Sequence, residues 1–344
     1  MAVTRISISE YRQLPAGTVI LDVRSPGEYI RAHISGAHSL PLFSDEERKV
    51  VGTTYKQKSR ELAIKAGLDF FGPKMKAIVE AAEKIIKDSG NADPVMVHCW
   101  RGGMRSAAIA WLLDLYGIKV LVLTGGYKAY RNWVLQQFES DYSFRIIGGY
   151  TGSGKSHLLK KIGEAGNTII DLEGIANHKG SAFGGIGMPP QPMQEMFENI
   201  LAEELFSKSK HTIWIEDESQ RIGSLNIPHA LWRTIRTKPL HFVEIPFEER
   251  LLHITNEYGD LDKANLASSI SRIEKRLGPL ETKTALEFLH QNNMTECFRV
   301  LLHYYDKSYK KALHNRNDLA SLLNIVSHEK DINLLTDKIC ASVI

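Results

Sequence analysis

A cysteine opens a short loop of arginines and glycines at residues 99–106, Cys-Trp-Arg-Gly-Gly-Met-Arg-Ser. A cysteine between a strand-like run and a helix-like run faces backbone N–H groups and the positive end of the helix, which favour the thiolate. The arginines add positive charge, and the glycines let backbone amides turn inward around an anion. We predict an anion-binding loop formed by Arg101, Gly102, Gly103, Met104 and Arg105, with Cys99 as its reactive group. An inert, buried cysteine is the alternative, and it is disfavoured by these charged surroundings.

A second glycine-rich loop follows about fifty residues later, at residues 149–156, and reads Gly-Tyr-Thr-Gly-Ser-Gly-Lys-Ser. It satisfies every fixed position of the Walker A pattern and lies between a strand-like and a helix-like run. Its amides would surround a phosphate, Lys155 would contact terminal phosphate oxygens, and the Ser156 hydroxyl would be a ligand of Mg²⁺. The predicted diphosphate-binding residues are Gly149, Gly152, Ser153, Gly154, Lys155 and Ser156.

Carboxylates end two of the apolar runs that follow the second loop. The run 211–217 ends at Glu216 and Asp217, and the run 167–171 is followed by Glu173. A Walker B strand ends in this way, which makes Asp217 or Glu216 a candidate Mg²⁺ ligand together with Ser156. A strand that simply leaves the core ends in the same way, and both readings stay open. The candidate substrate or Mg²⁺ contacts are Asp171, Glu173, Glu216 and Asp217.

Alternating apolar and helix-like runs position both loops and predict an α/β fold. Predicted strands lie at residues 18–23, 94–98, 119–123, 144–147, 167–171, 211–217 and 240–245. After about residue 246 we find no strong strand signal, and a helical C-terminal region is expected. The predicted domains are 1–139 with the cysteine loop, 140–248 with the Walker loop, and 249–344, which is helical.

Composition excludes several classes of protein. The three cysteines, Cys99, Cys297 and Cys340, have unrelated spacings that fit neither a disulfide framework nor a zinc site, so a reducing, cytoplasmic location is expected. No signal-peptide pattern and no bilayer-length apolar run is evident, and no membrane partner is expected. A net charge of +3 does not by itself indicate nucleic-acid binding.

Several segments of the N-terminal third resemble the rhodanese family of sulfurtransferases. The similarity includes the cysteine loop, residues 21–29 and residues 32–41, although Ala32 replaces the glycine usual in the family. Five residues separate Cys99 from Arg105, one more than in the common single-domain rhodanese loop. This longer form resembles the loop of cell-cycle phosphatases that share the rhodanese fold. The resemblance implies a wider cradle, suited to a phosphorus-containing donor or substrate.

The order of a rhodanese-like domain, a P-loop domain and a helical tail resembles the tRNA 2-selenouridine synthases over nearly the whole chain. The segments that carry this resemblance are 98–106, 125–131, 152–155, 171–184 and 216–219, of which 171–184 is the most specific. The resemblance implies a transferase that converts 2-thiouridine at the tRNA wobble position to 2-selenouridine. S-geranylation by geranyl diphosphate comes first, and selenation by selenophosphate follows. Cys99 would carry selenium as a selenopersulfide or contact selenophosphate directly.

The resemblance also implies that the Walker loop binds the diphosphate of geranyl diphosphate. No tightly bound cofactor is expected, and the partners are tRNAs carrying 2-thiouridine and an enzyme that supplies selenophosphate. A basic, aromatic stretch at residues 303–316 is the candidate tRNA surface, although a solvated helix face is an equally good reading. Its candidate contacts are Lys307, Tyr309, Lys310, Lys311 and Arg316. Two other classes remain: a rhodanese-fold phosphatase or sulfurtransferase coupled to an NTPase, and a nucleotide-gated RNA-binding module.

Overall fold

The structure, a computed structural model, describes residues 3–90, 93–327 and 331–341 of the chain. The chain forms two compact units. The first consists of Met1–Gln137 with Glu198–Glu203, and the second of Phe138–Phe197 with Glu204–Ile344. Each unit has a five-stranded parallel sheet with helices, which confirms the predicted α/β fold. In the part of the chain that is described, no helix is long and apolar enough to cross a membrane.

The first unit is built on a parallel sheet with the strand order β1-β5-β4-β2-β3. Its strands are β1 (Thr4–Ile6), β2 (Ile20–Asp22), β3 (His38–Ser39), β4 (Val95–His98) and β5 (Val120–Leu123). Its helices are α1 (Ile8–Tyr11), α2 (Pro26–Arg31), α3 (Asp45–Gln57), α4 (Arg60–Phe71), α5 (Met75–Asp88), α6 (Met104–Tyr116) and α7 (Gly126–Gln137), with a 3-10 turn at Gly72–Lys74. The predicted strands 18–23, 94–98 and 119–123 correspond to β2, β4 and β5.

The central strand β4 and the helix α6 determine where the cysteine loop lies. All four residues of β4 are buried, and three of them are apolar, as expected for a parallel sheet that is covered on both faces. Helix α6 begins at Met104 and ends at Tyr116, and its C-cap Gly117 has a left-handed φ of 102°, which suits glycine. The buried face of α6 includes Ile109 and Leu113, which join the core around β4. The loop between them is therefore held at the carboxyl end of the sheet.

The second unit has a parallel sheet with the strand order β12-β11-β6-β8-β7. The strands of this sheet are β6 (Phe144–Gly148), β7 (Thr168–Ile170), β8 (Ile213–Glu216), β11 (Leu240–Glu244) and β12 (Leu323–Ser327), and an antiparallel pair is formed by β9 (Arg221–Ile222) and β10 (Leu225–Asn226). The helices that follow β6 are α8 (Lys155–Glu164), α9 (Leu172–Ala176), α10 (Gln194–Lys208), α11 (His229–Arg236), α12 (Phe247–Tyr258), α13 (Lys263–Arg272), α14 (Glu274–Leu277), α15 (Pro279–His290), α16 (Met294–His314), α17 (Leu319–Leu322) and α18 (Ile332–Ala341). Residues Glu198–Glu203 of α10 group with the first unit. The predicted strands 144–147, 167–171, 211–217 and 240–245 correspond to β6, β7, β8 and β11.

The region after residue 248 is mostly helical, as predicted, but it also contributes a strand that the sequence analysis missed. Strand β12 pairs with β11 in parallel over five residues, from Leu240 opposite Leu323 to Glu244 opposite Ser327. It is an edge strand, and Ile325 is 60% exposed. Helices α12, α13, α15 and α16 pack around a separate apolar cluster that includes Phe298. These residues group with the Walker sheet in one unit.

Candidate functional site

The cysteine loop is held in shape by the first residues of α7. The Tyr127 backbone N–H donates to the Cys99 carbonyl oxygen at 2.8 Å, and the Lys128 N–H donates to the Trp100 carbonyl oxygen at 2.9 Å. Gly126 has a φ of 57°, and a Cβ there would lie 2.3 Å from the Cys99 carbonyl oxygen. Only glycine fits this approach of two backbones. The segment 125–131, identified from the sequence, therefore supports the loop.

The Cys99 sulfur lies 3.3 Å from the Ser106 hydroxyl oxygen. Burial alone would raise the pKa of the thiol, but it is outweighed by hydrogen bonds from the Ser106 hydroxyl and from the Ser106 and Arg101 N–H groups, so the pKa of Cys99 lies below its usual value. Burial raises the pKa of Cys297 to about 12. Among the three cysteines, Cys99 has the surroundings of a nucleophile.

Arg105, predicted to bind an anion, is paired with a carboxylate. Its Nη1 and Nη2 donate to the Glu28 Oε2 and Oε1 at 2.6 and 3.3 Å. Burial tends to raise the pKa of Glu28, but the hydrogen bonds and charge of Arg105 outweigh it and lower that pKa. Arg101, Gly103 and Met104 are exposed. An anion in the loop would share Arg105 with Glu28, a residue that the sequence analysis did not identify as part of the site.

The Walker loop joins β6 to α8 and brings its six predicted residues together. Gly152 and Gly154 have φ values of 81° and 72°, which glycine adopts without strain. The Lys155 Nζ donates to the Gly149 carbonyl oxygen at 2.9 Å, and the Ser156 hydroxyl donates to the Glu173 Oε2 at 2.7 Å. The loop therefore has its fixed charge and its hydroxyl at the carboxyl end of the sheet, where ligands bind in such folds.

Three glutamates converge beside Ser156. Glu173 lies in the first turn of α9, Glu216 ends β8, and Glu218 follows two residues later. One carboxylate oxygen from each lies within 4.8 Å of the others. Burial, and then the charge of Glu173, raise the pKa of Glu216 to about 8. Burial likewise raises the pKa values of Glu173 and Glu218. Glu218 was not predicted from the sequence.

The other two predicted carboxylates are engaged elsewhere. The Asp171 Oδ1 accepts from the Gly174 N–H at 2.7 Å and caps α9. The Asp217 Oδ2 accepts from the Tyr309 hydroxyl at 2.6 Å, and its Oδ1 accepts from the Arg316 Nη2. Asp217, a candidate Mg²⁺ ligand, therefore accepts hydrogen bonds from two side chains of the chain.

The predicted tRNA contacts divide into two sets. Lys307, Lys310 and Lys311 are exposed on α16. Tyr309 and Arg316 instead point toward Asp217, and Arg316 is 5% exposed, so neither is presented as an open surface group. Helical periodicity separates Tyr309 from the three lysines, since residues three and four apart share a face, and Arg316 follows the end of α16.

The matches to known families agree with these two sites. Residues 7–132 match the rhodanese-like domain family, and residues 142–333 match the tRNA 2-selenouridine synthase AAA domain. The chain thus combines a rhodanese-like domain with a P-loop-containing AAA domain. It is 35% identical over 339 residues to a tRNA 2-selenouridine synthase of a Sulfurovum species, with 88% of this chain and 90% of that protein covered.

Two further relatives with the same description are similar to this chain. The protein of Hydrogenovibrio crunogenus is 35% identical over 325 residues, covering 84% of this chain and 88% of the relative. That of Chromohalobacter salexigens is 35% identical over 324 residues, covering 86% and 88%. The chain belongs to the tRNA 2-selenouridine synthase family. It is an enzyme of the transferase class.

Proposed function

We propose that this enzyme converts 2-thiouridine at the tRNA wobble position to 2-selenouridine, by S-geranylation with geranyl diphosphate and then selenation with selenophosphate. The observation that carries the proposal is the presence, in one member of this family, of a thiolate-favouring cysteine loop and a complete Walker loop. Each loop suits one of the two phosphorus-containing substrates. No tightly bound cofactor is required, because the two substrates supply the transferred groups.

In the first step the Walker loop binds the diphosphate of geranyl diphosphate. The sulfur of 2-thiouridine attacks the carbon next to the diphosphate, the carbon–oxygen bond breaks, and pyrophosphate leaves. Lys155 and the loop amides stabilise the negative charge that grows on the leaving group. A cavity of about 500 Å³ next to the loop offers room for the prenyl chain, and it is lined by Tyr150, Glu244, Ile245, Pro246, Phe247 and Arg250.

In the second step Cys99 contacts selenophosphate and helps to release its selenium. Alkylation has turned the sulfur on the base into a leaving group, so hydrogen selenide can replace it at carbon 2 and geranylthiol departs. Selenium stays at the selenide level throughout, and water supplies the oxygen that converts the phosphorus group to phosphate. A selenopersulfide on Cys99 would instead require an oxidant that removes two electrons from selenide. We therefore assign Cys99 as the contact of selenophosphate.

The tRNA is proposed to lie along the exposed face of α16. Lys307, Lys310 and Lys311 present three positive charges there, and phosphate contacts by lysine supply much of the affinity of RNA-binding surfaces. A partner enzyme that makes selenophosphate would supply the selenium donor.

Nucleoside mass spectrometry of tRNA incubated with purified variants tests the two steps separately. Lys155→Ala should prevent formation of S-geranyl-2-thiouridine, because the diphosphate loses its fixed positive charge. Cys99→Ser should accumulate the geranylated nucleoside and form no 2-selenouridine. Cys297→Ser is the matched control: Cys297 is buried in the helical cluster, so both products should still form. Formation of 2-selenouridine by Cys99→Ser at the parental rate would contradict the role given to Cys99.

A further inference from the structure

Two segments of the second unit, residues 219–243 and 307–316, concentrate positive charge. Each contains four lysines or arginines and neither aspartate nor glutamate, whereas the whole chain has a net charge of only +3. The first segment includes helix α11, and the second includes the last turns of α16. A local excess of this size attracts a polyanion even where the net charge of the protein is small.

The structure brings these two helices together. The Arg236 Nη2 of α11 donates to the carbonyl oxygen of Ala312 in α16 at 2.9 Å, a contact between residues 76 positions apart. Burial, and then the charge of Arg316, lower the pKa of Arg236, as expected where positive groups lie close together. The two basic segments therefore form one surface. Its cations, which define the α11–α16 surface, are Arg233, Arg236, Lys307, Lys310 and Lys311.

Most of the positive charge of this surface is not neutralised by the chain itself. Two basic residues of the segments, Lys238 and Arg316, are paired with Asp141 and Asp217. Those two pairs lie beside the surface and leave its exposed cations available to a ligand. Across residues 3–90, 93–327 and 331–341, the exposed cations that form no ion pair include Arg233, Lys307, Lys310 and Lys311.

Aromatic rings accompany the cations on α11. The Arg236 guanidinium lies 4.8 Å from the centre of the Trp232 ring, and the exposed His229 ring is stacked on the other side chain of this group, Trp232, at 6.3 Å. An arginine that rests on an aromatic ring keeps its planar group oriented for a phosphate. Cations interleaved with aromatic rings are typical of surfaces that bind unpaired nucleotides.

Both helices reach the edge of the Walker site. The Trp232 Nε1 of α11 donates to the Glu218 carbonyl oxygen at 3.3 Å, and the Glu218 side chain belongs to the glutamate cluster beside Ser156. On α16, the Tyr309 hydroxyl accepts from the Gly149 N–H of the Walker loop at 3.3 Å. The α11–α16 surface therefore borders the place where the proposed alkylation occurs. A strand bound on this surface would have its nucleotides near the diphosphate.

We propose that α11 and α16 together bind the anticodon arm of the tRNA, with Arg233 and Arg236 as phosphate contacts beside Lys307, Lys310 and Lys311. The inference rests on the proposed function and extends the tRNA contacts from one helix to a surface of two. The neighbouring Walker site and the aromatic rings favour RNA over an acidic protein as the ligand. Because the cations contact the phosphate backbone, affinity depends on salt more than on nucleotide sequence.

Fluorescence anisotropy tests the proposal, with full-length protein and a fluorescein-labelled RNA hairpin that has the anticodon arm and 2-thiouridine at the wobble position. Arg233→Gln and Lys310→Gln should each raise the dissociation constant about five- to eightfold at 0.1 M salt. Each should also make the plot of log affinity against log salt concentration shallower by about 0.7–0.9, and the two effects should add in the double variant. Lys283→Gln is the matched control, because Lys283 is exposed in the same unit but paired with Glu287 at 3.8 Å. Its affinity should stay within about twofold of the parent.

Thermal unfolding shows whether the variants are folded, and all three should melt as the parent does, because substitutions of exposed side chains change stability little. Parental affinity and salt dependence in Arg233→Gln would overturn the proposal, because the RNA would then not contact α11. Absence of hairpin binding by the parent, or binding that does not depend on salt, would overturn it as well. If the variants behave as expected but the parent does not geranylate the hairpin, the proposed function alone is contradicted.

Discussion

Replacement of Ser106 by alanine should make Cys99 a weaker nucleophile at a pH below the pKa of its thiol. The hydroxyl of Ser106 lies 3.3 Å from the sulfur, and hydrogen bonds to charged groups contribute about 1.5–3 kcal/mol. Loss of this hydrogen bond raises the pKa of Cys99, so the thiolate fraction at a pH below that pKa falls by roughly 10- to 150-fold. A more basic thiolate is intrinsically more reactive. This higher reactivity offsets slightly under half of the decrease in rate, on a logarithmic scale. The net result is alkylation about 4- to 16-fold slower.

The assay is the rate of iodoacetamide labelling of Cys99 at a pH below the titration midpoint of the parent, followed by peptide mass spectrometry. Thiolate absorbance near 240 nm, titrated with pH, gives the pKa without requiring access for the reagent. The midpoint for Ser106→Ala should lie at higher pH than that of the parent. Cys297 is the internal reference, because it is buried and its pKa is about 12. A melting curve confirms that the variant is folded.

An unchanged midpoint in Ser106→Ala would refute this reasoning. The Ser106 hydroxyl also lies within 3.0 Å of the Gly103 carbonyl oxygen, and its single hydrogen cannot serve both acceptors at once. An unaltered pKa of Cys99 would mean that the Ser106 hydroxyl donates its hydrogen to the Gly103 carbonyl oxygen. The backbone N–H groups of Ser106 and Arg101 alone would then stabilise the thiolate.

Two further changes test the supports of the loops. Gly126→Ala should destabilise the first unit by at least about 2 kcal/mol and slow the labelling of Cys99. The reason is that a Cβ at this left-handed φ would lie 2.3 Å from the Cys99 carbonyl oxygen. Chemical denaturation measures the loss of stability, and a parental unfolding midpoint would contradict the prediction. Arg316→Ala should lower the free energy of unfolding by about 3–5 kcal/mol, because Asp217 would lose its buried partner. The double variant Arg316→Ala with Asp217→Ala should recover part of that loss. If the effects of the two single substitutions simply add in the double variant, the pair is not coupled.

Local sequence patterns predicted the two loops and the buried strands, each of which is formed by one continuous segment. The Walker loop, including Lys155, and the cysteine loop lie within continuous segments, and the buried strands that position them are short apolar runs. The pairs that complete the sites were not predicted, because their partners are distant along the chain. Arg105 pairs with Glu28, 77 residues away, and Asp217 pairs with Arg316, 99 residues away. No periodicity indicates such contacts. Strand β12 was missed for the same reason, since β11, the strand with which it pairs, is distant along the chain.

Helix α16 limits how this enzyme can be divided. Its inner side carries Tyr309, which accepts from the Gly149 N–H of the Walker loop and donates to Asp217, while Lys307 and Lys310 lie exposed along the same helix. A chain shortened before α16 would lose the lysines and, with them, a support of the Walker loop. Truncation would therefore not separate the proposed tRNA contacts of this helix from the proposed binding of diphosphate by the Walker loop. Charge reversal of the exposed lysines leaves the inner contacts in place and is the change that would distinguish the two proposed roles.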